Sequence, residues 1–160
     1  MVKLIVAIDL MGNIGKNNNL LFHIKEDMKF FKQQTMNNIC VMGYNTWLSL
    51  NEKELPNRKN IVMTNERIEG VETSNHLFKV IDKYEKDDRD IYIIGGAYVY
   101  NEALKLHLVD EILITIVSTI VTDADTQIDL SLMDKFKKKE KINDFINEDG
   151  ILTTIWKWSK

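Results

Sequence analysis

Gly95-Gly96 is the stretch of this sequence best suited to hold a charged ligand. It ends the unbroken apolar run Ile91-Tyr92-Ile93-Ile94, of the kind found in strands buried on both faces. After it Tyr100, Ala103, Leu104 and Leu108 share one helical face. Glycines between a strand and a helix let the backbone come close to a ligand, and the free N–H groups and dipole of the helix start attract phosphate. The same pair also suits a plain strand-to-helix turn. The second feature is Asp27, an acid set among Ile24, Met28 and Phe31 on one face of a helix predicted from about Lys25 to Met36. An Asp in a first turn also simply favours the helix dipole. His23, His76 and His107 are scattered, with no partner at metal-ligand spacing, so no metal is expected.

These residues need elements to position them. Val2 to Ile8 reads as a buried strand, ended by Asp9 and a loop through Gly12, Gly15 and Asn17 to Asn19 that could serve as a mobile lid. Ile39 to Met42 is a second strand, and Gly43 leads into a short helix over Asn45 to Leu50. A loop with the single proline, Pro56, reaches a third strand, Asn60 to Thr64. A weaker strand near Val71 to Thr73 and a helix from about Leu77 to Lys83 precede the central stretch. A helix from Val99 to Leu108 is followed by the β-prone run Glu111 to Val121. A loop from Asp123 to Asp134 then leads to an antiparallel hairpin, Phe136 to Ile142 with Leu152 to Trp158, whose lysines form a solvated face. Strands alternating with helices imply an α/β fold: a mostly parallel central sheet flanked by helices on both faces, with a C-terminal antiparallel hairpin. In such sheets ligands bind beyond the carboxyl ends of the strands, where Asp9 to Leu20, Gly43 to Thr46, Thr64-Asn65 and Gly95-Gly96 all lie.

Length and composition bound the function. The 160 residues suit one domain with a real core. A net charge of -3 offers no broad basic field for nucleic acid or acidic membrane, so a small molecule is the expected partner. No apolar run approaches the ~20 residues that span a bilayer, and the N-terminus lacks a secretory pattern; a cytoplasmic protein is expected. The single cysteine, Cys40, reads as a buried, inert thiol.

The whole chain resembles a bacterial-type dihydrofolate reductase in order, spacing and residue type. The match runs through Ile5-Val6-Ala7, Ile14-Gly15, Asp27 with Phe31 and Thr35, Val41-Met42-Gly43, and Thr46-Trp47 with Ser49. It continues in Leu55-Pro56-Asn57-Arg58-Lys59-Asn60, Ile93-Ile94-Gly95-Gly96 with Val99-Tyr100, Thr115, and Asp125-Thr126. This resemblance implies NADPH-dependent reduction of 7,8-dihydrofolate to tetrahydrofolate, with hydride passing to pterin C6 and a proton reaching N5. Antifolate inhibitors are implied as further ligands, and the monomer as the working state.

The catalytic residues implied are Asp27, supported by Thr115 through a shared hydrogen bond, with Leu20 and Phe22 of the closing loop. A carboxylate binds the pterin in a fork and its charge favours the protonated transition state. For the substrate, Ile5, Ala7, Met28, Phe31, Leu50 and Ile94 match the family's apolar walls, with Ser49, Leu55 and Tyr100 beside them, and Arg58 would clamp the glutamate α-carboxylate. For the cofactor, the matching positions are Ala7, Ile14, Gly15, Asn18, Leu20, Gly43, Tyr44, Asn45, Thr46, Met63, Thr64, Asn65, Ile94, Gly95, Gly96, Ala97, Tyr98, Val99, Tyr100 and Thr126. The family's turn geometry further implies a cis Gly95-Gly96 bond. Two departures matter. Leu21-Phe22 replaces the usual Pro-Trp, so the ring has no N–H donor, and Tyr44 stands where a basic residue often follows Gly43.

Overall fold

The uninterrupted apolar runs form the middle of an eight-stranded sheet in a computed structural model that describes residues 1–160. The elements are β1 (Val2–Ile8), β2 (Asn13–Lys16), β3 (Asn19–Leu20), α1 (Lys25–Thr35), β4 (Ile39–Gly43), α2 (Tyr44–Ser49), β5 (Lys59–Met63) and β6 (Glu72–Ser74). There follow α3 (Leu77–Lys83), β7 (Ile91–Ile93), α4 (Ala97–Lys105), β8 (Glu111–Val117), β9 (Thr126–Gln127), a 3₁₀ turn at Leu130–Met133, β10 (Lys138–Ile146) and β11 (Leu152–Ser159). The sheet order is β10-β11-β8-β1-β7-β4-β5-β6. It is parallel from β8 to β6 and antiparallel only where β11 joins β8 and β10 joins β11.

Side chains alternate along each strand and so build two apolar layers. On one face Ile5, Tyr92 and Leu113 pack with Phe30 and Phe31 of α1, while Met42, Trp47 and Val62 pack with Tyr44 and Leu50 around α2. Ile94 joins both groups. On the other face Leu4, Val6, Ile8, Val41, Ile61, Ile112 and Ile114 meet Leu77 and Val80 of α3 and Val99, Ala103 and Leu104 of α4. The α/β architecture expected from the sequence is the one observed.

Several boundaries differ from the sequence reading. The segment expected to be a lid loop is largely a three-stranded ribbon, β3-β2-β9. Lys16 pairs with Asn19 across a two-residue turn, and Asn17 and Asn18 both take positive φ, 51° and 62°. Asparagine tolerates that conformation, and the arrangement is a hairpin turn rather than slack chain. The loop expected over Asp123 to Asp134 supplies β9 and the 3₁₀ turn. α4 begins at Ala97 and stops at Lys105, where His107 (φ 56°) reverses the chain. β8 ends at Val117, and β10 runs from Lys138 to Ile146 rather than from Phe136 to Ile142. Phe136 is buried against the core instead.

Candidate active site

Asp27 lies in the first turn of α1, half-buried, and its one side-chain partner is Thr115 of β8. Thr115 Oγ1 donates to Asp27 Oδ1 at 2.6 Å, across 88 residues of sequence. Thr115 is itself buried and pairs with Ala7 of β1, so the register of the central strands fixes where the carboxylate sits. Burial pushes the Asp27 pKa up, and the Thr115 hydroxyl offsets part of that rise. An acid with its proton affinity raised in an apolar setting suits proton chemistry near neutral pH.

The apolar residues expected around Asp27 come from several elements. Ile5 and Ala7 come from β1, Phe31 from α1 and Ile94 from the end of β7, where its N–H bonds Val41 O at 2.9 Å. Leu50, at the end of α2, packs against the same Met42, Trp47 and Val62 cluster as Ile94. Met28 on α1 and Leu20 on β3 are exposed, while Phe22 and Leu55 are half-buried. Ser49 is exposed and spends its hydroxyl on Thr46 O, at 2.6 Å. Tyr100 of α4 sends its buried hydroxyl to Ile5 O at 2.7 Å, tying the helix to β1.

Arg58 sits at the edge of this region, held by two contacts. Nε donates to Pro56 O at 2.9 Å, and Nη1 donates to Thr35 Oγ1 at 3.0 Å. Thr35 in turn donates to Phe31 O at 2.8 Å, so the guanidinium is fixed to the end of α1. The loop that carries it is braced by buried Asn60, which accepts from Leu55 N and donates to Leu55 O and Arg58 O. Arg58 forms no ion pair within the protein, so its outer edge is open to a ligand's carboxylate.

The glycine junctions meet on the other side. Gly43 N donates to Gly95 O at 2.7 Å, and the Gly95-Gly96 bond is cis. A Cβ on Gly43 would come within 3.1 Å of Val99, and one on Gly95 within 3.3 Å of the Tyr100 hydroxyl. The approach is tight at both, and Gly95 also takes φ +125°, a conformation that favours glycine. Gly96 is the N-cap of α4 and provides no side-chain cap, so the N–H groups of the Ala97-Tyr98-Val99 turn are free for an anion. Thr46 Oγ1 lies 3.7 Å from the position of a Gly96 Cβ, which adds a hydroxyl to the same place.

A family model for dihydrofolate reductase matches residues 1–155. The chain belongs to the dihydrofolate reductase family. A dihydrofolate reductase of Buchnera aphidicola is 39% identical over 105 residues, covering 64% of this chain and 65% of that protein, just under two thirds of its length. Dihydrofolate reductase type 9 of Escherichia coli is 33% identical over 97% of this chain and 92% of its own. A solved dihydrofolate reductase from Enterococcus faecalis, complexed with NADP(H) and RAB-propyl, superposes with a TM-score of 0.82 at 27% identity over 99% of this chain and 95% of its own.

In this family member the remaining residues expected at the cofactor lie along the same strand ends. Ile14, Gly15, Asn18 and Thr126 belong to the ribbon, where a Cβ on Gly15 would lie 3.6 Å from Thr126. Met63 ends β5, and Thr64 and Asn65 follow it, the Thr64 hydroxyl accepting from Glu66 N. Asn45 and Tyr98 are exposed. Tyr44 is drawn into the cluster of Met42, Trp47 and Val62.

The sequence reading missed Asp9. It is fully buried at the end of β1 and accepts from Met11 N, Asn13 N, Asn13 Nδ2 and Val121 N at 2.7 to 3.0 Å. Burial raises its pKa, but these donors outweigh it and hold the carboxyl below the usual range. Asp9 therefore anchors the ribbon. Its only sequence signal was the Asp-to-Asn spacing of a side-chain turn. Cys40 is buried as expected, and burial pushes its thiol up to about 12, which keeps it inert.

Proposed function

We propose that this chain reduces 7,8-dihydrofolate to 5,6,7,8-tetrahydrofolate with NADPH, hydride adding at pterin C6 and a proton at N5. The observation that carries the reading is the Asp27–Thr115 pair, a raised-pKa carboxylate fixed by a neighbouring strand inside an apolar region. NADPH, when bound, supplies the hydride. Gly43, Thr46, Gly95, Gly96 and the first turn of α4 suit its phosphates, because they offer free N–H groups and a hydroxyl with no side chain in the way.

Each protein group then has a task. Asp27 accepts from the pterin 2-amino group and N3, which orients the ring, and its charge favours the protonated form at N5. Thr115 holds the carboxylate in place. Ile5, Ala7, Phe31, Leu50 and Ile94 give the pterin and benzoyl rings an apolar wall. Arg58, fixed by Thr35 and Pro56, takes the glutamate α-carboxylate. The ribbon carrying Leu20, with Phe22 behind it, excludes water from the reacting atoms.

No helix is long and apolar enough to cross a membrane. The proposal includes a single domain over residues 1–160, acting as a cytoplasmic monomer with antifolates as inhibitors and no nucleic-acid partner. Loss of NADPH absorbance on adding dihydrofolate tests it, with tetrahydrofolate identified as product. Dihydrofolate-independent oxidation, or none, would overturn it.

A further inference from the structure

A cavity of about 490 Å³ opens on the face of the sheet opposite Asp27. Its floor includes Ile8 of β1 and Ile116 of β8, whose chain neighbours Ala7 and Thr115 belong to the active-site face, so strand alternation separates the two sites. Leu10, Leu130, Met133, Phe136 and Trp158 complete its apolar wall. The volume lies within the ~300 to 1,000 Å³ of small-molecule sites.

The lining specifies a class of ligand. Seven of the 11 lining residues are hydrophobic, and Lys139 Nζ lies over the Trp158 ring, 4.2 Å from its centroid, which sets a cation against the apolar wall. Trp158 Nε1 is the one buried side-chain polar atom in the protein without a hydrogen-bond partner. The rim carries Lys137 and Lys139, and neither is in an ion pair. Two acids also line the cavity. Asp9 is occupied by its four N–H donors, which leaves it no demand for a cation, and Asp134 stands exposed at the end of the 3₁₀ turn.

We propose that this cavity is a second small-molecule site, selective for an aromatic ring system bearing one anionic group. The ring lies against the apolar floor of Ile8, Ile116, Met133 and Phe136, and the anion meets Lys137 and Lys139. Because Asp9 and Leu10 form part of the wall, a ligand here also touches the root of the ribbon that borders the active site.

Anilinonaphthalene sulfonate, a fluorescent aromatic anion, is the probe. It is titrated into the full chain, first free and then with NADPH and methotrexate added. One saturable site of equal affinity in both samples is expected. Lys137→Glu with Lys139→Glu, both on exposed side chains, should weaken it by about tenfold or more through charge reversal. Affinity unchanged in the lysine variant, or a signal displaced by NADPH and methotrexate, would overturn the proposal. The readout is binding alone, so a chain that failed to reduce dihydrofolate would leave this result intact.

Discussion

Thr115→Val removes one hydroxyl and little volume from a buried position, so it isolates what the Asp27–Thr115 hydrogen bond does. The bond is 2.6 Å long and is the only one a side chain makes to Asp27. A hydrogen bond to a charged group contributes about 1.5 to 3 kcal/mol, and one between neutral groups about 0.5 to 1.5. At neutral pH the variant should therefore lose about 1.5 to 3 kcal/mol of folding stability, falling to about 0.5 to 1.5 in acid, where Asp27 is protonated. The sign follows from the raised pKa. A carboxyl whose folded pKa lies above its unfolded value favours folding below the unfolded pKa, and that contribution is lost as pH rises through the folded pKa. Removing the Thr115 donor raises the folded pKa further and deepens the loss. Urea unfolding of parent and variant across acid to neutral pH measures the difference directly. A loss equal at every pH would show that Thr115 acts only through packing and would refute the reasoning.

Three further outcomes are expected. Gly12→Ala should lower the melting temperature, because Gly12 takes φ +81° and an added Cβ would lie 2.8 Å from Ile128 O; strain of this kind costs about 1 to 3 kcal/mol, and an unchanged melt would count against the ribbon as drawn. Arg58→Leu should weaken folate binding by about 2 to 5 kcal/mol while barely affecting a pterin that lacks glutamate, and equal losses for both ligands would remove the clamp. NADPH should be preferred over NADH by a margin about tenfold smaller than in relatives with a basic residue at the Tyr44 position. Tyr44 is committed to packing with Met42 and Val62 and carries no charge, which is why the margin shrinks; equal catalytic efficiency with both cofactors would contradict this.

How much was legible depended on the range of the interaction. Apolar runs such as Val2 to Ile8 and Ile91 to Ile93 announce buried strands because burial on both faces admits no alternation. Gly43 and Gly95 were readable because the backbone there comes close to Val99 and Tyr100, and Gly95 also takes φ +125°. The three asparagines from Asn17 misled, since a loop and a positive-φ hairpin turn use the same residues, and only the pairing partner β9 decides between them. From spacing alone Asp27 reads first as a helix-dipole acid; its partner Thr115, 88 residues away, was legible only through the family resemblance. Asp9 was legible only in part: its spacing to Asn13 signals a side-chain turn, but its fourth donor, Val121 N, lies 112 residues away. Arg58 was legible through the family's motif, but the reason for Asn60 in that motif is the set of bonds bracing Leu55 and Arg58.

The central claim is that the Asp27 carboxylate drives protonation of the substrate. The most direct measurement is kcat/KM of Asp27→Asn against pH, with NADPH and dihydrofolate, in a variant shown to be folded. The substitution keeps shape and the Thr115 contact while deleting the charge. Activity should fall by about 100-fold or more at neutral pH, as for loss of a general acid–base group, and the deficit should shrink in acid as protons reach N5 from solution. A variant within about threefold of the parent at neutral pH, a barrier change of less than ~1 kcal/mol, would contradict the account.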